Sequence, residues 1–210
     1  PESFALLFLD VNLQALIHPL LTLRTRAQVH SPLDDFARTT QLNSSSFSVF
    51  RGISFAYINS VVVALSFAST NKLVLPYFEV EGFKPIQSVT YTFMLSDFLS
   101  SPVRTYFEMR RNLSQLGNKQ VGRLITLSRY LNCWSLLATR DLVFRLGLYS
   151  LFRDRDHFER KNETVKKFGL ALFFGTFLSA PFDLLFTRMS VQHSDKYRNL
   201  MQGLITIYKE

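Results

Sequence analysis

The stretch Ser179-Ala-Pro-Phe-Asp-Leu-Leu-Phe-Thr-Arg188 closes a long apolar run that begins near Phe168. The proline within it removes a backbone donor, frees a carbonyl one turn earlier and is expected to bend a helix. A carboxylate at Asp183 is costly to expose to lipid, so it should face a bundle interior and meet a cation. The stretch therefore predicts a membrane-spanning helix that ends in a polar contact with a neighbouring helix.

The composition favours a membrane protein. The chain has 210 residues and a formal net charge of +8, and 47% of its residues are hydrophobic, including 21 phenylalanines. The apolar residues gather in five runs of roughly 17–22 residues, close to the length that crosses a bilayer. This predicts an all-α membrane protein; buried core helices of a large soluble domain are the alternative. The single cysteine, Cys133, excludes an internal disulfide framework.

Polar segments separate the five predicted runs, which cover residues 4–23, 53–69, 86–109, 136–152 and 168–187. Residues 70–84 are predicted to form a loop because they contain Pro76 and Gly82. Residues 110–132 are basic and are predicted to end in a short amphipathic helix over residues 124–131. The sequence contains no stretch in which basic residues alternate with aromatic ones to form a binding surface. Its positive charge therefore does not indicate nucleic-acid binding.

Three prolines, each late in an odd-numbered run, recur at a spacing of about 80 residues. They are Pro19, Pro102 and Pro181, and each is predicted to kink or break its helix. Each precedes one or two basic residues and then a polar stretch with a short amphipathic helix. This period predicts three repeats, over residues 1–72, 84–155 and 166–210, the third of which is incomplete.

At these prolines the sequence resembles the mitochondrial carrier family, whose odd-numbered helices end in the motif P-x-[DE]-x-x-[KR]-x-[KR]. The third repeat matches at Pro181, Asp183 and Arg188. The first repeat keeps the proline and both basic positions, and the second keeps only the proline. The resemblance implies a multi-pass bundle of three two-helix repeats in the mitochondrial inner membrane. Five of its six transmembrane helices would lie in this chain, and the sixth is expected after Glu210.

The resemblance also implies a ring of three acid–base pairs that closes the bundle on the matrix side. One pair here stays charged, Asp183 with Arg24, and it serves either as a gate or as a static ion pair. A second is predicted to place Arg104 against Phe186, a cation–π contact worth about 0.5–2 kcal/mol. The remaining pair is apolar. His18, in the first run, is predicted to join helices rather than to relay protons.

The fourth run resembles the fourth helix of carriers, which places Arg140 and Asp141 at the family's substrate-discriminating pair. A neighbouring cation and anion suit a zwitterion, so the resemblance implies an amino-acid substrate. The resemblance places the substrate contact of the second helix at Ile58 or Asn59. Alternatively, Asp141 and Arg145 are one turn apart on a single helix and satisfy each other.

Two functions follow from the resemblance. The first is a degenerate carrier-fold protein that no longer transports and serves as a structural accessory subunit of a respiratory-chain membrane complex. The second is an active mitochondrial solute carrier for an amino acid or a related small metabolite. The sequence holds no nucleophile–base arrangement, phosphate loop or metal-ligand spacing, so we expect neither catalysis nor a metal or cofactor.

The expected partners are membrane lipids, cardiolipin among them, and other inner-membrane subunits. Those subunits are predicted to contact the apolar faces of residues 4–16 or 89–99. The basic loop at residues 110–129 is predicted to lie on the matrix side, because positively charged loops stay on the negative side of a membrane.

Overall fold

The computed structural model describes residues 18–25, 28, 50–83, 85–115, 125–152, 161–192, 197 and 200–209. Within these ranges the chain is almost entirely helical and contains no strand. Helix α1 covers residues 18–25, and the later helices are α2 (Ile53–Val80), α3 (Pro85–Gln115), α4 (Leu127–Phe152), α5 (Lys161–Val191) and α6 (Leu200–Lys209). The prediction of an all-helical protein is confirmed for the described ranges.

Among the described residues, two helices are long and apolar enough to cross a membrane, through Ile53–Phe78 in α2 and Gly169–Val191 in α5. Most residues of both spans lie at the surface of the bundle, with large side chains such as Leu65, Phe173 and Phe177 exposed. Helices that remain apolar on their exposed sides present a surface that lipid can cover. The two spans indicate association with a membrane.

Helices α2 to α5 alternate in direction. Helix α2 packs most extensively on α3, α4 packs on α5, and α3 also contacts α4 and α5. Gly52, just before α2, lies against Arg111 near the end of α3. Asn112 of α3 donates a 2.9 Å hydrogen bond to Ser190 near the end of α5. The ends of α3 and α5 therefore meet the starts of α2 and α4. We call this the basic end, because it carries Arg51, Arg110, Arg111, Arg129 and Arg188.

The apolar core lies toward the basic end, between α3, α4 and α5. Its buried members are Met109, Cys133, Leu136, Leu137, Leu185, Phe186, Met189 and Tyr197. Helix α6 packs on the end of α5, where Gly203 leaves room for Leu185. This core holds α3, α4 and α5 together on the basic-end side of their buried charged residues.

Two predicted boundaries are wrong. Residues 70–80 are not a loop, because α2 continues to Val80 with Pro76 inside the helix. Beyond that proline, Phe78 packs against Tyr91 of α3 with ring centroids 5.9 Å apart, and this contact supports the last turn of α2. The short helix predicted over residues 124–131 is not separate either, because α4 begins at Leu127 and runs on without interruption.

Helix α3 also continues through Pro102, where a break was predicted. A proline there frees the backbone carbonyl of Phe98. Ser101 Oγ donates to that carbonyl at 2.6 Å, and Trp134 Nε1 of α4 donates to Ser101 Oγ at 2.7 Å. Side chains thus replace the missing backbone hydrogen bond, so the helix does not end. The other two predicted kink positions also lie within helical segments, at Pro19 and Pro181.

Candidate functional site

Seven charged side chains form one continuous chain of alternating sign across α1, α3, α4 and α5. In order of contact they are Arg24, Asp183, Arg140, Asp141, Arg104, Asp97 and Arg145. Each aspartate contacts two arginines, and an arginine stands at either end. We call these seven residues the charge chain.

Asp183 joins α5 to α1 and α4. Arg24 Nη2 donates to its Oδ2, and Arg140 Nη1 donates to its Oδ1 at 3.2 Å. Gln28 Nε2 adds a longer contact of 3.4 Å to Oδ2. The ion pair predicted between Asp183 and Arg24 is therefore present, and a gating role for it stays a prediction. Arg140 is a second partner of Asp183 that the sequence did not predict.

Arg104 does not have its predicted partner. Its Nη1 lies 3.2 Å from Asp97 Oδ1 and 2.8 Å from Asp141 Oδ2. The second contact is an ion pair whose angles fall outside those of a hydrogen bond. The cation over the Phe186 ring is Arg140 instead, 5.9 Å from the ring centroid. The prediction was wrong because α3 supplies its own acid, Asp97, about two turns before the arginine on the same face.

The alternative contact between Asp141 and Arg145 is also replaced by contacts to other residues. Arg145 Nε donates to Asp97 Oδ2 at 2.8 Å, and its guanidinium lies 4.6 Å from the centroid of the Phe93 ring. Asp141 instead pairs with Arg140 at 2.9 Å and with Arg104. Helices α3 and α4 therefore each give one acid and one base to the other, in two crossed ion pairs.

The charge chain lines a cavity of about 320 Å³. Its other lining residues are Val63, Phe144, Thr176, Ser179 and Ala180. Since the lining holds four arginines and three aspartates, its formal charge is +1. A second cavity of about 170 Å³ lies between α3 and α4 and shares Asp97, Asp141 and Arg145 with the first.

The residues predicted to contact a substrate from the second helix do not line this cavity. Asn59 is not among the residues that line the cavity, and its Nδ2 donates to Glu108 Oε1 at 3.0 Å. Arg111 Nη2 donates to the other oxygen of Glu108 at 2.6 Å. Ile58, the other candidate, is 41% exposed at the surface of the bundle. The structure thus brings Arg140 and Asp141 together in the cavity and keeps Asn59 apart from them.

His18 lies at the joint between the first two helices. Its Nε2–H donates to the carbonyl of Arg51 at 3.1 Å, which links α1 to the start of α2. A link between helices is the role that the sequence predicts for this residue. Residues 4–16, predicted to face a partner subunit, lie outside the described residues.

Sequence reasoning missed Asp97 and Arg145 as site residues. Asp97 lies on the same face of α3 as Arg104, and Arg145 lies one turn beyond Asp141 on α4. Charged residues inside an apolar run are costly unless they are paired. This cost indicates that each of these charges has a partner, but it does not show which residue the partner is.

No protein-family model matches the sequence, and a search of curated proteins finds no match. The resemblance to carriers therefore rests on the proline-centred sequence motifs.

Proposed function

We propose that the protein is a degenerate mitochondrial-carrier-like protein of the inner membrane, and that it serves as a structural accessory subunit of a larger respiratory-chain complex. The charge chain carries the structural part of this proposal, because it ties α1, α3, α4 and α5 together. The proline-centred motifs support the carrier-like repeats and the mitochondrial location. A transporter has to separate its helices in every cycle, whereas a structural subunit does not.

The crossed ion pairs between α3 and α4 favour a bundle that does not cycle. The side chains of Asp97 and Arg104 are each 9% exposed, and that of Asp141 is 12% exposed. Removal of one partner from a buried ion pair costs about 3–5 kcal/mol, because the other charge is left uncompensated. Movement of α3 away from α4 would break two such contacts at once. A conformational cycle needs states of similar free energy, so this arrangement suits a fixed shape.

The face of α3 that was predicted to contact another subunit is exposed in the isolated chain. Its large apolar side chains include Val89, Leu95, Phe98 and Leu99. A permanent partner would cover them, and stable protein interfaces bury more than about 1,000 Å² in total. This exposed face supports a place within an assembly.

The test begins with solubilisation of the inner membrane in mild detergent. We expect the protein to migrate with a large respiratory complex, and the purified full-length protein to exchange no labelled amino acid across liposomes. A known carrier, taken through both steps, serves as the control. Migration as a lone monomer together with amino-acid exchange would show that the structural proposal is wrong.

An active solute carrier for an amino acid or related metabolite is the second candidate. It is favoured by the cavity of about 320 Å³, in which Arg140 and Asp141 present a cation beside an anion. In this case the contact between Asp183 and Arg24 would open and close as a gate. The exchange assay above decides between the two functions.

A further inference from the structure

The second cavity, of about 170 Å³, opens to the outside of the bundle between α3 and α4. Two of its lining side chains, Phe98 and Leu142, form its mouth, because they are 57% and 48% exposed. The charged side chains that it shares with the larger cavity are mostly buried and lie at its inner side; they are Asp97, Asp141 and Arg145. We call this second cavity the lateral pocket. It is an opening in the apolar outer surface that leads inward to the charge chain.

The lateral pocket lies between two contacts that join α3 to α4. On the side of the basic end, Trp134 Nε1 donates to Ser101 Oγ at 2.7 Å. Toward the opposite end, the ring centroids of Tyr91 and Tyr149 lie 6.3 Å apart. Between these contacts α4 presents Ala138, whose small side chain leaves the space unfilled. The pocket is therefore closed along the helices and open toward the surface of the bundle.

The depth of the lateral pocket follows from its position beside the membrane span of α5. That span covers Gly169–Val191, and its middle is Ala180. Arg140, the residue after Thr139 of the pocket lining, contacts Asp183, which is less than one turn from that middle. The hydrocarbon core of a bilayer is about 30 Å thick, so lipid headgroups lie roughly 15 Å from its middle. At the depth of the pocket, a lipid therefore presents only its acyl chains.

An empty lateral pocket would lose the dispersion contacts that a filled one makes. Its charged side is already compensated, because Asp97 and Asp141 are each ion-paired with two arginines. Its volume of about 170 Å³ resembles that of an engineered apolar cavity of about 150 Å³ that binds benzene, so a short hydrocarbon segment fits. We propose that the lateral pocket binds the end of an acyl chain of a membrane phospholipid. The site requires only a surrounding bilayer, so it holds for either function proposed above.

The single tryptophan of the chain reports on the pocket, since Trp134 lies one turn from Ala138 on α4. The purified chain is reconstituted in nanodiscs of phosphatidylcholine that carries bromine, a quencher of tryptophan fluorescence, near the ends of its acyl chains. Ala138→Leu fills the pocket, so we expect it to lose part of this quenching. Ala68→Leu, at an exposed position of α2, is the matched control and should keep the quenching of the unmodified chain. Equal quenching of the two variants would overturn the proposal.

A second pair of variants keeps the test decisive if Ala138→Leu does not fold. Leu142→Ala widens the mouth of the pocket, so the brominated chain ends should quench Trp134 more strongly. Leu146→Ala is the matched control, because Leu146 is also 48% exposed on α4 but does not line the pocket. It should leave the quenching unchanged. An equal effect of these two substitutions would show that Trp134 meets only the general lipid shell, and the proposal would be wrong.

Two further measurements distinguish other occupants of the pocket. If water filled it, Ala138→Leu would reduce quenching by water-soluble acrylamide instead of quenching by the brominated chains. If a side chain of a partner subunit filled it, Ala138→Leu would prevent migration with a large complex and leave the lipid quenching unchanged. Either outcome would overturn the acyl-chain proposal. Because the lipid quenching is measured without a partner, this proposal and the proposed function can fail separately.

Discussion

At the scale of single residues, Asp183 links three helices. Its two carboxylate oxygens receive different arginines, Arg24 from α1 and Arg140 from α4. The two arginine side chains differ in exposure, since that of Arg24 is 50% exposed and that of Arg140 is 16% exposed. If Asp183 is removed, water can therefore solvate the guanidinium of Arg24 more readily than that of Arg140.

This difference predicts unequal effects of substitution. We expect Asp183→Asn to lower the free energy of unfolding by about 1.5–3 kcal/mol, because it weakens charge-assisted hydrogen bonds to two arginines. Arg24→Gln should cost less than about 1 kcal/mol, since a half-exposed ion pair contributes little. Chemical denaturation of the purified variants measures both values. A loss of equal size for the two variants would show that Arg140 gains nothing from Asp183.

The sequence predicted some of these contacts and not others, for a physical reason. The contact of Asp183 with Arg24 was predicted because the resemblance to carriers implies that the acid of one odd-numbered helix pairs with a base of another. The partners of Arg104 were not, because they depend on how far α4 is rotated against α3. Periodicity shows which residues share a face of a helix, but it does not show which face of the neighbouring helix lies opposite.

At the scale of helices, the close crossing of α4 and α5 brings Arg140 within ion-pair distance of Asp183. A Cβ atom added to Gly147 would lie 2.9 Å from Gly175 Cα, and one added to Gly175 would lie 3.0 Å from the carbonyl oxygen of Phe144. These neighbours are backbone atoms, which cannot turn aside as a side chain can. The two helices are therefore as close as their backbones allow.

We expect Gly147→Ala to push the two helices apart and to destabilise the protein by about 1–3 kcal/mol. The matched control is Gly169→Ala in α5, where an added Cβ would meet nothing within 4 Å. That change should be neutral or stabilise the protein by up to about 1 kcal/mol, because alanine favours a helix over glycine. Urea denaturation of both variants measures the difference. Stabilisation by Gly147→Ala would contradict the close crossing.

The existence of the helices was easier to predict than their limits. Each apolar run that falls within the described residues is helical, as its length indicated. The limits were misjudged at Pro76 and Pro102, because local rules treat a proline as the end of a helix. At Pro102 the compensating donor is Ser101, held by Trp134 from the next helix, 33 residues away in sequence. A contact at that distance leaves no local signal.

At the scale of the whole molecule, the two ends of the bundle differ in charge. The basic end carries the five arginines that define it, and Glu108 is the acid described nearest to them. Toward the other end, the described charged side chains are Lys72 and Glu81, which balance each other. Positively charged segments stay on the negative side of a membrane, so in the proposed inner-membrane location the basic end should face the matrix.

Two single substitutions test this orientation in mitoplasts. Val80 is 85% exposed near the end of α2, opposite the basic end, and Tyr208 is 92% exposed on α6 at the basic end. Cys133 is 0% exposed, so the unmodified chain supplies a silent background. We expect a membrane-impermeant maleimide to label Val80→Cys in intact mitoplasts, and to label Tyr208→Cys only after permeabilisation.

The reverse pattern would place the basic end outside and refute the charge argument. Labelling of both cysteines in intact mitoplasts would show that α2 does not cross the membrane between them. In that case the exposed apolar side chains of α2 would need a protein partner rather than lipid to cover them.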